Sequence, residues 1–463
     1  MSLSYHFFMN KKLGLFAVAM MNIVIVANLQ MITATAVYGY SLIFFYLLAA
    51  ILFFVPCMLI ISQLSTAYPI TGGSYLWVEK AFGKQWGFFS ATLIWLSNVI
   101  WYPTIFSLLA TIFAQIFAPQ LTNSTMFILG GALILFWAVT LLNIFGIRVS
   151  SFVSSLSSVI GVILPTVILI IFAFFWVMDA KTTQITISWN DLLPDYSRWA
   201  FLTQIIIGLV GIEMSAVHAG DIRDARRTIP RAMGFSAIII LLIVILAPLS
   251  IGLVIPQDKI SIVAGLIDAL AIFFQSFQIA PSIFLLMLGL VFIGNIGSTT
   301  AWMIGSTRGM HIASIHCKMP HFFQKTNRYH APLGILILEA IIFTFSCSLF
   351  FFSTISNAYW ILLQLASQIT LIYYIVIFAA AIKLKKQLAS HTEAFQIPGK
   401  TRGITGAAIV ASATAFFALI LGFVPPSAGT VHAPSYYSFL LILGIGVTMG
   451  VPFIFLRLAK KYY

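Results

Sequence analysis

The chain has 463 residues, of which 61% are hydrophobic and 8% charged, with a formal net charge of +13. A soluble chain needs about 25% charged residues to cover its surface. The composition therefore excludes an ordinary water-soluble globular protein and makes lipid the outer solvent. Runs without Asp, Glu, Lys or Arg cover 13–78, 85–147, 149–178, 232–257, 269–307, 340–382 and 403–456.

A membrane-spanning helix needs about 20 apolar residues. The two longest runs and the last hold two spans each, divided by turn-rich breaks such as "TAVYGYS", "APQLTNST" and "VPPSAGTVHAPS". With the segment around Glu213 and the pair starting at Leu333, the expectation is twelve spans: 12–34, 41–65, 86–117, 125–146, 153–178, 199–219, 232–255, 281–310, 333–352, 357–382, 404–424 and 436–457. No ten-residue alternation suggests a barrel. The fold class is all-α integral membrane, with 1–463 a single polytopic domain. The first span lacks a small-residue cleavage site after a short apolar core, so it reads as a retained helix.

In chain order, the first span carries "NIVIVANLQMITATAVYGYS", where Asn22, Asn28 and Gln30 interrupt an apolar run. Asn28 and Gln30 are candidates to face a substrate and equally candidates for interhelical hydrogen bonds. "TGGSYLWVEKAFG" then predicts a turn entering an amphipathic helix between spans two and three. In the third span, Trp95, Trp101 and Tyr102 either line a path or anchor the helix at the interface. The sixth span reads "IIIGLVGIEMSAVHAGDIRDARRTIPRAM" and places Glu213 just beyond Gly208 and Gly211. Ser298, Thr299 and Thr300 in the eighth offer hydroxyls, either as interhelical hydrogen-bonders or as sodium ligands. Glu339 lies about two turns into the ninth at 1.5 Å per residue, within expected reach of cytoplasmic water.

With the N-terminus inside, all of the 24 basic residues except Lys181, Arg198 and Lys259 fall on the cytoplasmic side. This bias obeys the positive-inside rule, so the basicity marks topology and not nucleic-acid binding. Both termini are expected in the cytoplasm of a bacterial inner membrane. The three cysteines, Cys57, Cys317 and Cys347, form no disulfide framework or metal motif. The histidines from His311 to His330 lack metal-ligand spacing, and no cofactor or metal is expected. Intramembrane proteolysis needs paired acids or a metal motif, and a channel usually repeats a pore motif. Neither pattern is present, which leaves transport.

An ionisable residue at membrane depth is by default a functional hypothesis. Glycine weakens a helix by about 1 kcal/mol relative to Ala, so Gly208 and Gly211 allow the backbone to open beside Glu213. Broken helices near the midplane are where secondary transporters hold substrate. Such a carboxyl can bind a proton or a substrate ammonium group. The plainer alternative is interhelical glue. His218, near the helix end, has a titratable ring with no switching role assigned.

Four stretches carry a family resemblance: "YGYSLIFFYLLAAILFFVPCMLIISQLSTAYPITGGSYLWVEKAFGKQWGF", "GLVGIEMSAVHAGDIRDARRTIPRAM", "WMIGSTRGMHIA" and "FQIPGKTRG". The chain resembles the amino acid–polyamine–organocation superfamily, in its glutamate/GABA antiporter-like branch. That resemblance implies a leucine-transporter-like fold with two inverted five-helix repeats plus two helices. It also implies substrate held between the broken first and sixth spans. Gly211, Ile212 and Glu213 match the Gly-x-Glu motif tied to substrate binding and proton coupling. Asn28, Leu29 and Gln30 match the substrate-facing part of the first span, with Trp101 and Ser298 as further candidates. The chain departs from the family at Asp224-Ala225, where Asn-Pro is usual, and at Ser298, where a glutamate exchanger carries an acid. The first span also lacks the Gly-Ser-Gly of arginine/agmatine exchangers and the tyrosines of glutamate/GABA exchangers, and no long C-terminal plug precedes Tyr463. The expected activity is amino-acid exchange by alternating access, by a monomer or homodimer. Alternatives are proton-coupled symport and a non-transporting amino-acid sensor of the same fold.

Overall fold

A computed structural model describes residues 13–70, 72–122, 124–145, 159–185, 192, 199–261, 264–348, 355–391, 393–424 and 434–462. Among these residues the secondary structure is helical, with one isolated backbone bridge between Leu13 and Ile222. The helices, in chain order, are α1 (Leu15–Val26), α2 (Leu29–Ala36), α3 (Ser41–Ala67), α4 (Ser74–Phe82) and α5 (Lys84–Phe117). Next come α6 (Thr125–Ile144), α7 (Val159–Met178), α8 (Phe201–Ile207), α9 (Ala225–Val254) and α10 (Gly265–Ser276). The last are α11 (Pro281–His316), α12 (Leu333–Cys347), α13 (Ile355–Ser390), α14 (Lys400–Leu421) and α15 (Pro434–Tyr462). A 3-10 segment, Ile212–Asp221, follows α8.

Nine helices among the described residues are long and apolar enough to cross a membrane, and the bent pair α1/α2 makes a tenth. The ninth expected span appears as a shorter apolar helix, Leu333–Cys347, and the sixth as an apolar stretch, Phe201–Ala216, interrupted after α8. Residues 349–352 of the expected ninth span and 153–158 of the fifth lie outside the described residues, as do Lys11, Lys12, Arg148, Arg198 and the side chain of His218. One helix was not foreseen: α10 lies between the seventh and eighth expected spans. α4 forms where the amphipathic helix was expected, between Gly73 (φ +55°) and Gly83 (φ +93°).

The third expected span is the axis of the molecule. The most apolar stretch of α5 is 78% buried, against 17% for the last helix. α5 packs against α4, α6, α11, α12, α13 and α15. Trp95 and Tyr102 on α5 are among the largest fully enclosed side chains. Large apolar residues such as Ile134, Phe174 and Phe345 instead point outward, as expected of a lipid-facing shell. α7 and α11 approach through glycines. An added Cβ on Gly161 would lie 2.3 Å from the Cα of Gly294.

Candidate functional site

The first segment breaks without glycine or proline. α1 ends at Val26, Ala27 donates its N–H to the Ile23 carbonyl (2.8 Å), and Asn28 adopts an extended conformation (φ −83°, ψ 123°). The Asn28 side chain accepts the Gln30 N–H at 2.9 Å and so caps α2. An Asn cap supplies one of the partners that a helix start lacks, worth about 1 kcal/mol. The two halves meet at 44°.

The sixth segment breaks at the glycines expected from the sequence. α8 stops at Ile207, and Gly211 takes φ +112°, a region L-residues rarely adopt. There is also no room for a side chain: an added Cβ would sit 2.9 Å from Ile25 Cγ2 and 3.0 Å from the Trp302 ring. The two breaks therefore touch. They also pair at their far ends, where Arg223 N–H donates to the Leu13 carbonyl at 3.0 Å.

Glu213 is enclosed at 2% exposure. Its carboxyl accepts the Gly211 N–H (3.2 Å) and a short hydrogen bond from the Tyr374 hydroxyl, while Gly211 N–H also donates to Tyr374 Oη at 2.9 Å. Tyr374 thus fastens α13 to the broken sixth segment. The adjacent Tyr373 donates to Ser74 Oγ at the start of α4 (2.6 Å). A cavity of about 20 Å³ reaches Glu213 between Ser74, Tyr75, Ser306 and Tyr373, enough for a single water.

Trp302 of α11 faces Gly211 and lies 6.2 Å, ring to ring, from Trp101. Trp101 also borders a cluster of Met31, Ala34, Tyr359, Trp360 and Leu363. Gln30, beside Tyr359, is buried, and both its amide atoms lack a hydrogen-bond partner. Such orphaned groups are uncommon and call for an explanation. Gly211 and Trp101 thus both meet Trp302, and Trp101 borders the cluster that holds Tyr359, the neighbour of Gln30. Leu29 is buried at the start of α2, and Asn28 serves the backbone. Ser298 is half-buried one turn before Trp302 on α11, and no hydrogen bond joins it to Glu213 among the described residues. The hydroxyls of Thr299 and Thr300 donate to their own helix, at 2.7 Å each to the Asn295 and Ile296 carbonyls. Glu339 corrects an expectation: it is 0% exposed and does not reach water.

Tyr374, Tyr373 and Trp302 are residues that sequence reasoning missed. Aromatics are so frequent in membrane helices that neither the "YY" of α13 nor the Trp of "TTAW" stands out. Only long-range packing distinguishes them: Tyr374 bonds Glu213, Trp302 faces Gly211, and Tyr373 lines the cavity beside Glu213.

A helical membrane protein with two interrupted segments meeting at a buried acid is a transporter by class. The amino acid permease family model matches residues 13–447. The chain belongs to the amino acid permease family, within the amino acid–polyamine–organocation superfamily. It is 36% identical over 456 residues to an uncharacterised transporter of Legionella pneumophila, covering 98% of this chain and 97% of that one. It is 26% identical over 461 residues to a glutamate/gamma-aminobutyrate antiporter of Lactococcus lactis (97% and 91% covered). A probable agmatine/putrescine antiporter of the same species is 25% identical over 395 residues (84% and 83% covered).

Proposed function

We propose that this protein is an amino-acid or amine exchanger of the bacterial inner membrane, working by alternating access with Glu213 as its coupling group. It acts as one twelve-span domain of leucine-transporter-like architecture, with two inverted five-helix repeats plus two helices and both termini in the cytoplasm. The observation that carries this reading is the meeting of the two breaks at Gly211, against Ile25. Interrupted helices expose backbone donors and acceptors that can hold the ammonium and carboxylate of a substrate. Asn28, Leu29, Gln30, Gly211, Ile212, Trp101 and Ser298 form the substrate-facing set. Movement of Tyr374 on α13 frees the Glu213 carboxyl for a proton or a substrate ammonium. The relatives named as antiporters favour exchange over symport.

A second reading has its own observation. Glu213 accepts two hydrogen bonds, one from the N–H of Gly211 at the turn, so it can serve purely as a clasp holding the break in shape. Counterflow in proteoliposomes against amino acids, gamma-aminobutyrate and polyamines separates the readings. Exchange predicts uptake that requires internal counter-substrate. Glu213→Gln should insert normally, because volume and hydrogen-bonding capacity are retained, yet lose most transport or its pH dependence. A Glu213→Gln protein transporting at the wild-type rate from acid to neutral pH makes the carboxyl a clasp. Accumulation under a pH gradient without counter-substrate indicates a proton symporter, and saturable binding without flux indicates a sensor.

A further inference from the structure

Glu339 on α12 is fully buried, and both of its carboxyl oxygens lack a hydrogen-bond partner. Tyr102 and Trp95, one face of α5, lie beside it. The Tyr102 hydroxyl and the Trp95 ring N–H are likewise unpartnered and buried. Two acceptors and two donors thus converge on an enclosed point. Tyr102 also neighbours Ser306 of α11, whose hydroxyl is committed to the Trp302 carbonyl at 3.0 Å and keeps its lone pairs free to accept. Ser306 lines the same small cavity as Glu213.

We propose that Glu339 is a second, buried proton-binding site, formed with Tyr102 and Trp95 and joined through Ser306 to the cavity beside Glu213. An ionised carboxylate sealed from water without partners is far costlier than the neutral acid, so in this packing Glu339 carries its proton. With a small adjustment of the side chains the neutral acid donates to the Tyr102 oxygen, and Tyr102 donates to Ser306. Loss of the proton reverses this arrangement. The Tyr102 O–H and the Trp95 N–H, a donor only, then both turn to the carboxylate, and the bond from Tyr102 to Ser306 is given up. The proton leaves stepwise: Tyr102 takes one from Glu339 as it gives its own to Ser306, and Ser306, turning its O–H from the Trp302 carbonyl to a water in the cavity, passes that proton on. Each hydroxyl ends with the proton count it began with.

The surroundings suit a proton and not a salt bridge. Among the described residues, Tyr102 is the titratable group beside Glu339, and no charged side chain forms an ion pair with it. α6, which packs against α12, carries no titratable residue. Arg308 follows Ser306 by two residues and so points to the opposite face of α11. His311 is turned to the Phe323 carbonyl at 3.2 Å. His321, on the short helix before α12, is exposed.

Infrared spectroscopy of the whole protein in lipid, with exchange from H2O to D2O, tests the site without relying on transport. The wild type should show a protonated-carboxyl C=O band that shifts down in D2O. A component of that band should be lost in Glu339→Gln, that same component should persist in Glu213→Gln, and in Tyr102→Phe it should change frequency and shift more slowly in D2O. Should Glu339→Gln fail to insert, movement of the band in both Tyr102→Phe and Trp95→Phe carries the assignment, and insensitivity to both overturns it. A band that Glu339→Gln leaves unchanged, or no such band, also overturns the site. Exchange as fast in Tyr102→Phe as in the wild type overturns the link through Ser306. The purpose of the site, though not its existence, rests on Glu213 being the coupling group. If Glu213→Gln transports normally while the Glu339 band behaves as expected, that reading fails and the second site stands.

Discussion

The first and sixth segments are interrupted in different ways. At Asn28 the chain passes through ordinary extended backbone, and an amide side chain caps the new helix start. At Gly211 the backbone enters a left-handed region, and the space for a Cβ is taken by Ile25 and Trp302. One break is chemical, since it needs a hydrogen-bond acceptor of the right length. The other is steric, since it needs nothing at all where a side chain would be. Absence of glycine is therefore no evidence against a break, whereas a glycine of this kind cannot be exchanged.

The largest effect should come from Gly211→Ala. Left-handed strain costs about 1–3 kcal/mol, and a contact at 2.9 Å adds to it. We expect a lowered melting midpoint in detergent and loss of transport in proteoliposomes. A variant as stable and active as wild type would show that the sixth break does not need its glycine. Asn28→Ala comes next, because losing an N-cap costs about 0.5–2 kcal/mol. Transport should drop while the protein still inserts, and Asn28→Ser should recover most of the loss. If Ser and Ala behave alike, the cap is not what shapes the first break. Smallest is Gly208→Ala. Gly208 sits at φ −64°, ψ −10°, which any residue can adopt. Its added Cβ would chiefly press on the Tyr46 hydroxyl at 3.0 Å, the end of a side chain. Thermal stability should stay within about 1 kcal/mol of wild type. A collapse comparable to that of Gly211→Ala would erase the distinction drawn between the two glycines.

Much of the helical layout was readable, because charge-free runs report directly on burial in lipid. The sixth break was readable too, from glycines beside an acid. The first was weaker in the sequence, since a capping Asn looks the same as one bonding across helices until ψ is known. α10 escaped because it is only 12 residues long and carries Asp268, so it matches neither a span nor a polar loop. Tyr374 lies 161 residues from Glu213 in sequence, and no local pattern encodes such a pairing. Glu339 was misjudged because depth along a helix says nothing about which face the side chain occupies. Its face turns to α5 and not to water.

The glycine contact between α7 and α11 limits how this chain can diverge. When two ordinary side chains meet, a larger residue on one helix can be offset by a smaller one opposite. Gly161 and Gly294 face each other at 2.3 Å from added Cβ to backbone, and neither has anything left to give up. No second change at the partner position can rescue a first, so the backbones themselves would have to move apart. α11 also carries Trp302 and Ser306, so the displacement would reach the packing around Glu213. A pair of residues with no side chains at all thereby fixes the spacing of a helix on which the candidate site depends.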